Sequence, residues 1–242
     1  MRILYFFALL FTAMSCQTTK IKNKEYKISA ATVEIGSVGT ESSFSKLNYD
    51  FDTRLFPLFE NKIRLDVQLL PFNKAVNKIY TAKNKVNQLP NKINYIDSLP
   101  DKPRFVTVTF LDYAGIIDEL NAPHNKKVVN YLKDISKASI ITSVALVLPN
   151  DQLSKMEQAD SYYLINEDKT KYGILLYKDG KKIDTVDLQF STVLAYTTGK
   201  FCWAINERHN WYIGDIVNEG TSCPGDTYSK IKEKEEVNLF KL

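Results

Sequence analysis

Residues 138–148 read ASIITSVALVL, a stretch that is apolar on both alternating faces. A strand of this kind is covered on both sides and lies in the interior of its sheet. Before it, residues 104–111 (RFVTVTFL) are rich in β-branched and aromatic side chains and predict a second strand. Residues 113–120 and 125–136 between them have helical spacing. The order strand, helices, strand is compatible with a parallel crossover unit.

The strongest turn in the sequence lies further along the chain. Asp179 and Gly180, between two apolar runs, suit the positive φ angles of a type I′ hairpin turn. With residues 161–165 as a third strand, residues 160–188 predict an antiparallel meander. Residues 150–159 predict a short helix that joins the central strand to this meander.

The N-terminal half gives weaker patterns. Residues 28–37 alternate and suggest a first strand, and residues 63–69 alternate more cleanly. Residues 40–60 are mixed, with a helical spacing that Pro57 interrupts. The clearest helix spans residues 72–90, with apolar side chains every three to four positions.

Residues 1–16 have the features of an export signal. Arg2 is followed by nine apolar residues at positions 3–11 and then by small residues up to Cys16. A positive start, a short hydrophobic region and a small-residue exit are typical of a secretory signal peptide. The apolar run is too short to cross a bilayer, which takes about 20 residues.

The end of this segment resembles the lipobox of bacterial lipoproteins, in which a Cys receives a diacylglycerol and becomes the mature N-terminus. Ser15 and Cys16 match that pattern, whereas Ala13 and Met14 depart from the usual Leu followed by a small residue. The resemblance implies a signal peptide over residues 1–15 and a stable membrane anchor on Cys16. The alternative is an ordinary cleavage after Ser15 that leaves a free Cys16 thiol.

Residues 16–27 follow the anchor and are polar and lysine-rich, without apolar periodicity. Such a composition predicts a flexible lipidated tether with a reach of roughly 20 Å. By the same resemblance, neutral and then basic residues after Cys16 favour a periplasm-facing protein over a surface-exported one. Gln17 gives no inner-membrane retention signal of the Asp type, which favours the outer membrane.

Cys202 and Cys223 are the two cysteines that the anchor leaves over. An even number of cysteines in an oxidising compartment favours a disulfide, which would contribute about 3 kcal/mol to stability. A redox pair or a metal site is the alternative. The spacing is not Cys-x-x-Cys, however, and a metal would need further ligands.

Both tryptophans of the chain lie inside this presumed disulfide loop. A ligand-binding site for a small molecule or glycan could be built from Trp203, Arg208, His209, Trp211 and Tyr212, because tryptophan offers a large apolar face for stacking. The alternative is that the aromatic residues pack a core around the disulfide.

No catalytic, cofactor or metal site can be assigned from the sequence. An envelope hydrolase could recruit Ser191, Thr192, His209 and Asp215, but no G-x-S-x-G elbow or comparable motif supports that set. His124, without an acidic or Cys neighbour in sequence, is expected to be an exposed loop residue.

The helix over residues 72–90 has a one-sided charge pattern. No acidic residue lies between Asp66 and Asp97, and the polar face of the helix carries four lysines, Lys74, Lys78, Lys83 and Lys85. This pattern predicts contact with an envelope protein or an anionic surface such as phospholipid or lipopolysaccharide. The alternative is a solvated helix face.

These features predict an α+β protein: a mixed or antiparallel sheet with helices packed on it, a C-terminal β-meander and one disulfide. Residues 28–242 form the globular domain, with a possible lobe boundary near residues 91–103. The net charge of +4 does not suggest nucleic-acid binding. We expect a lipid-anchored, periplasm-facing envelope protein with a non-catalytic binding or structural role. The alternatives are the glycan or small-ligand module and the hydrolase.

Overall fold

The computed structural model describes residues 18–29, 32–43, 49–86, 93–135, 137–168 and 171–231. The strands are β1 (Thr18–Ile21), β2 (Lys24–Ile28), β3 (Val38–Ser43), β4 (Tyr49–Leu55), β5 (Ile63–Pro71), β6 (Arg104–Phe110), β7 (Ala138–Val147), β8 (Ser161–Asp168), β9 (Lys171–Lys178), β10 (Lys181–Asp187), β11 (Thr192–Ile205) and β12 (Trp211–Asn218). The α-helices are α1 (Lys74–Val86), α2 (Tyr113–Asn121), α3 (Lys126–Asp134) and α4 (Asn150–Gln158). Short 3-10 helices occur at Pro123–Asn125 and Leu188–Phe190.

All twelve strands join one sheet in the order β1-β2-β11-β7-β6-β5-β8-β9-β10, with β12 added beside β11 and the β3–β4 hairpin beside β7. Every residue of β7 is buried, which confirms the central strand predicted from its sequence. Strands β8, β9 and β10 form the predicted meander, and Asp179 and Gly180 have the positive φ angles of its turn. The predicted α+β fold class, with helices on an antiparallel sheet and one disulfide, is confirmed.

The predicted parallel crossover is wrong, because β6 and β7 are antiparallel, with Val108 opposite Val144. The chain leaves β6, forms α2 and α3 over one face of the sheet, and re-enters near the end of the strand that it left. The first residues of β7 extend past β6 and pair with β3 instead, where Ile140 lies opposite Val38.

The sheet carries a hydrophobic core on each face, because successive side chains of its inner strands point to opposite sides. On β7, Val144 and Leu146 enter the larger cluster, whereas Ala145 and Val147 enter the smaller one. We call these the major core, which α2, α3 and α4 cover, and the minor core, which α1 and the β1–β2 hairpin cover. The minor core consists of Ile21, Tyr26, Phe72, Val76, Ile79, Tyr80, Phe105, Ala145, Val147, Leu194 and Ala195.

The β1–β2 hairpin corrects the prediction of a flexible tether over residues 16–27. Residues 18–28 are two paired strands and a turn, and β2 continues the sheet beside β11. Ile21 and Tyr26 are only 7% and 4% exposed, and both point to the minor core. Two apolar side chains on one face of a hairpin are enough for docking here, although the stretch is otherwise lysine-rich. The predicted signal peptide over residues 1–15 and the predicted lipidation site Cys16 lie outside the described residues.

The predicted strand over residues 28–37 is also wrong. Strand β2 ends at Ile28, and the next strand, β3, begins only at Val38. The segment between them turns at Gly36, which has a φ of +87°. It is held on β7 by hydrogen bonds from Gly36 N–H to Ile141 O (2.9 Å) and from Ile141 N–H to Ser37 O (3.0 Å).

The helical spacing in residues 40–60 does not produce a helix, since β4 occupies Tyr49–Leu55 and pairs with β3. The predicted helix after Pro71 is confirmed as α1. Strands β5 and β6 flank the suggested lobe boundary at residues 91–103, and they pair with each other from Leu65 to Pro71. One sheet therefore includes strands from both sides of that segment.

Candidate functional site

The tryptophans of the predicted aromatic site have different environments. Trp203 on β11 is 5% exposed and belongs to the major core, beside a small cavity of about 170 Å³. Trp211 on β12 is half-buried and meets the ring of Tyr228 edge-on, with centroids 5.9 Å apart. Tyr212 follows directly, so that it points to the other side of the strand, and is 39% exposed.

Arg208 and His209 lie at the exposed tip of the β11–β12 turn. The carboxamide oxygen of Asn206 accepts hydrogen bonds from the N–H groups of Arg208 (3.0 Å) and Asn210 (2.9 Å), and His209 has a φ of +58°. The turn therefore holds these two side chains beyond the strand ends, while Trp203 is buried in the core. The structure does not bring the five predicted ligand residues around one cavity.

Cys202 and Cys223 form the predicted disulfide, with Cα atoms 5.6 Å apart. Cys202 is fully buried on β11. The chain after Cys223 returns to β11, where Trp203 and Tyr228 exchange two backbone hydrogen bonds of 2.8 Å each. The disulfide thus holds the segment that follows β12 against the sheet. Since it joins a buried residue of β11 to this partly exposed segment, a structural role fits its surroundings.

The possible hydrolase residues are far apart. Ser191 directly precedes β11, and His209 lies in the turn that follows it. Because β11 has 14 residues, its two ends are roughly 40 Å apart. The Ser191 hydroxyl donates to the backbone oxygen of Leu188 (2.6 Å). His209 is therefore out of reach of the hydroxyl that it would have to activate.

His124 does not lie in the exposed setting that its sequence predicts. Its side chain is 19% exposed, with Nδ1 3.4 Å from a carboxylate oxygen of Glu60 and Nε2 3.3 Å from one of Glu119. Glu119 is 4% exposed and also accepts hydrogen bonds from the backbone N–H groups of Glu60 (2.7 Å) and Asn61 (3.3 Å). The buried carboxylate thereby holds the loop before β5 against α2. Within the described ranges, no three His, Cys, Asp or Glu side chains are grouped so that they could bind a metal ion.

Lys27 is the centre of a charge cluster at the base of the β1–β2 hairpin. Its ammonium contacts Glu219 and lies 2.6 Å from Glu41, and its side chain is only 12% exposed. The Thr198 hydroxyl donates to Glu41 (3.2 Å) and is 3.4 Å from the Lys27 ammonium. These contacts tie β2 to β3, to β11 and to the end of β12 beside a cavity of about 500 Å³. No local pattern predicts them, since Glu219 is 192 positions from Lys27.

A second cavity, of about 410 Å³, lies between the β1–β2 hairpin and the minor-core face of the sheet. At the hairpin turn, the Lys22 ammonium donates to the side-chain oxygen of Gln68 on β5 (2.5 Å). Deeper in, the hydroxyls of Tyr26 and Ser143 are 2.9 Å apart, and that of Thr109 is 2.6 Å from Ser143. The hairpin therefore reaches across the sheet face from β11 to β5.

Lys24 lies in the lining of this cavity. Its side chain is half-buried, and its ammonium is 5.8 Å from the centre of the Tyr26 ring. Burial lowers the pKa of Lys24, and the charge of Asp66, which also lines the cavity, opposes that shift. In the part of the chain that the structure describes, Lys24 has no carboxylate within ion-pair distance.

The lysines of α1 share one helix but have different surroundings. Lys74 is exposed and forms an ion pair with Asp97 (3.1 Å), whereas Lys78 is exposed on the helix surface. Lys83 is half-buried, and burial lowers its pKa to about 8. The Lys85 side chain lies outside the described part of the structure.

Comparison with family models, characterised proteins and solved structures returns no match for this chain. Among the residues that the structure describes, no helix has both the length and the apolar character needed to cross a membrane.

Proposed function

We propose that this chain is a lipid-anchored protein of the bacterial cell envelope, attached through a diacylated Cys16 and facing the periplasm, with a non-catalytic binding or structural role at the membrane surface. The observation that carries this proposal is the export signal ending at Ser15 and Cys16. The disulfide between Cys202 and Cys223 supports it, because disulfides persist in oxidising compartments.

The position of the β1–β2 hairpin limits the distance between the proposed anchor and the folded domain. Strand β1 begins at Thr18, only two residues after Cys16. Two residues span at most about 7 Å, instead of the roughly 20 Å expected of a flexible tether. A lipid on Cys16 would hold the folded domain directly against the bilayer, and binding would take place at the membrane surface rather than at a distance from it.

The test is the state of Cys16 in the mature protein. We expect the intact mass to correspond to residues 16–242 with the lipid on Cys16, and the protein to sediment with membranes. Cys16→Ser should release it into the soluble fraction. Ser15→Ala is the matched control, because it keeps a small residue before the cleavage site and should leave attachment unchanged.

Two results would contradict the proposal. One is a mature mass that fits a bare Cys16 thiol. The other is a Cys16→Ser protein that sediments with membranes as completely as the unsubstituted protein and withstands a high-salt wash. In either case the attachment would have to come from another part of the chain.

A further inference from the structure

The β1–β2 hairpin and α1 lie on the same face of the sheet. Ile21 and Tyr26 from the hairpin, and Phe72 and Val76 from α1, all pack into the minor core. Helices α2, α3 and α4 contribute to the major core on the opposite face. The outer surfaces of the hairpin and α1 are therefore neighbours on one side of the molecule. We call these two elements, residues 18–28 and Lys74–Val86, the basic layer.

The basic layer differs in charge from the rest of the molecule. Its two segments contain eight lysines and one acidic residue, Glu25. One of these lysines, Lys27, is ion-paired with Glu41 and Glu219, which lie outside the layer. The remainder of residues 16–242 contains 23 basic and 27 acidic residues. The chain is only mildly basic as a whole because a strongly basic side is combined with a mildly acidic remainder. A charge separation of this kind orients a protein in the field of a charged surface.

We propose that the basic layer is the surface with which this protein lies against an anionic lipid bilayer, through contacts between its lysines and phosphate-bearing headgroups. This inference rests on the proposed lipid anchor, because Cys16 directly precedes the layer. An anchor at most about 7 Å from the start of β1 keeps that end of the layer within a Debye length of the bilayer, which is about 8 Å at physiological ionic strength.

Several lysines are placed for such contacts. Lys20, Lys22 and Lys78 are exposed, and Lys74 is exposed beside its partner Asp97. Each lysine near an anionic membrane surface strengthens binding by roughly fivefold. An acidic envelope protein would also be attracted to these lysines. We favour the bilayer as the partner because the proposed lipid anchor places it next to this surface.

Amine labelling of the full lipidated protein in vesicles tests this orientation. Lys20, Lys22 and Lys78 should be labelled several-fold more slowly on phosphatidylglycerol-containing vesicles than on phosphatidylcholine vesicles, and high salt should remove the difference. Lys126 and Lys127 lie on α3, on the other face of the sheet, and should be labelled equally in both. Equal labelling of all five amines on the two kinds of vesicle would overturn the proposal.

Paired substitutions give a second readout that does not depend on lipidation. In the mature protein of residues 16–242 with Cys16→Ser, Lys20→Gln combined with Lys78→Gln should weaken binding to anionic vesicles about 25-fold, as two lysine contacts are lost. The matched control, Lys126→Gln with Lys127→Gln, removes the same charge from the opposite side and should change binding less than about twofold. Equal losses for the two pairs would show that only net charge matters and would refute an oriented surface.

The anchor and the orientation can fail separately. A diacyl mass on Cys16 with uniform amine labelling would retain the proposed function and refute the basic layer. A bare Cys16 thiol, with selective binding of the Cys16→Ser protein through Lys20 and Lys78, would refute the anchor and retain the surface. Binding of the lipidated protein through the same lysines to neutral vesicles would exclude headgroup charge as the cause.

Discussion

Substituting Tyr26 tests whether the N-terminal hairpin is an integral part of the fold. The Tyr26 ring is 4% exposed in the minor core, and its hydroxyl is hydrogen-bonded to that of Ser143 on β7 (2.9 Å). Truncation of a buried aromatic side chain costs about 3–5 kcal/mol through lost burial and the cavity that remains. Tyr26→Ala should therefore lower the free energy of unfolding by about that amount. Tyr26→Phe removes only the hydroxyl and should cost about 1 kcal/mol.

Urea unfolding of the mature protein of residues 16–242 with Cys16→Ser is a suitable assay, because that protein keeps every element of the fold without its lipid. Hydrogen exchange at the amides of residues 18–28 would report the hairpin directly, and Tyr26→Ala should accelerate it. Glu25→Ala changes the exposed neighbour of Tyr26 and is the matched control, with an expected effect within about 0.5 kcal/mol.

A Tyr26→Ala protein with the stability and hydrogen exchange of Glu25→Ala would refute this reasoning. It would mean that residues 18–28 contribute nothing to the fold and behave in solution as the flexible tether that their composition predicts. The short distance between Cys16 and the folded domain, on which the proposed orientation of the basic layer depends, would then be lost as well.

Three further predictions concern other parts of the fold. Glu119→Ala should lower stability by about 1–3 kcal/mol, because it leaves two part-buried N–H groups of the loop before β5 without their acceptor. Asp118→Ala, an exposed neighbour, should have little effect, and equal urea midpoints for the two would refute the role of Glu119. Replacing Cys202 and Cys223 together by Ser should cost about 3 kcal/mol in urea unfolding, and an unchanged midpoint would show that the bridge adds no stability. The pKa of Lys83 is lowered to about 8 in the folded protein from an ordinary value of 10.5, so that the unfolded state binds more protons between these values and the free energy of unfolding should rise with pH across that window. Lys83→Met should raise stability at pH 7 and remove that slope in urea melts at several pH values, and an unchanged slope would assign it to another group.

The central part of the sheet could be predicted because its patterns are local. The apolar faces of residues 138–148 and the β-branched run of residues 104–111 depend on neighbouring residues alone. The same holds for the turn at Asp179 and Gly180, where two adjacent residues determine the backbone geometry. The relative direction of two strands, in contrast, does not depend on neighbouring residues alone. The sequence pattern therefore did not predict that β6 and β7 pair antiparallel.

The N-terminal hairpin and the charge clusters could not be predicted because their partners are distant in sequence. Tyr26 is buried by contacts with β7, and its hydroxyl partner Ser143 is 117 positions away. His124 seemed to lack acidic neighbours because one of them, Glu60, comes from a different loop. The dispersal of the aromatic site was partly foreseeable, since adjacent strand residues such as Trp211 and Tyr212 must point to opposite faces.

The charge of α1 is not explained by the requirements of the fold. A helix is stabilised by acidic residues in its first turn, but α1 has none there and has Lys74 instead. Lys74 and Lys78 are four positions apart, a like-charge spacing that costs a helix about 0.2–0.5 kcal/mol. The ion pair with Asp97 compensates only Lys74, and it is exposed. Long lysine stems can cover apolar surface, but glutamate would serve about as well on a solvated face while relieving the repulsion. An anionic surface outside the molecule would compensate the lysines of α1, and α1 lies on the same side of the sheet as the β1–β2 hairpin.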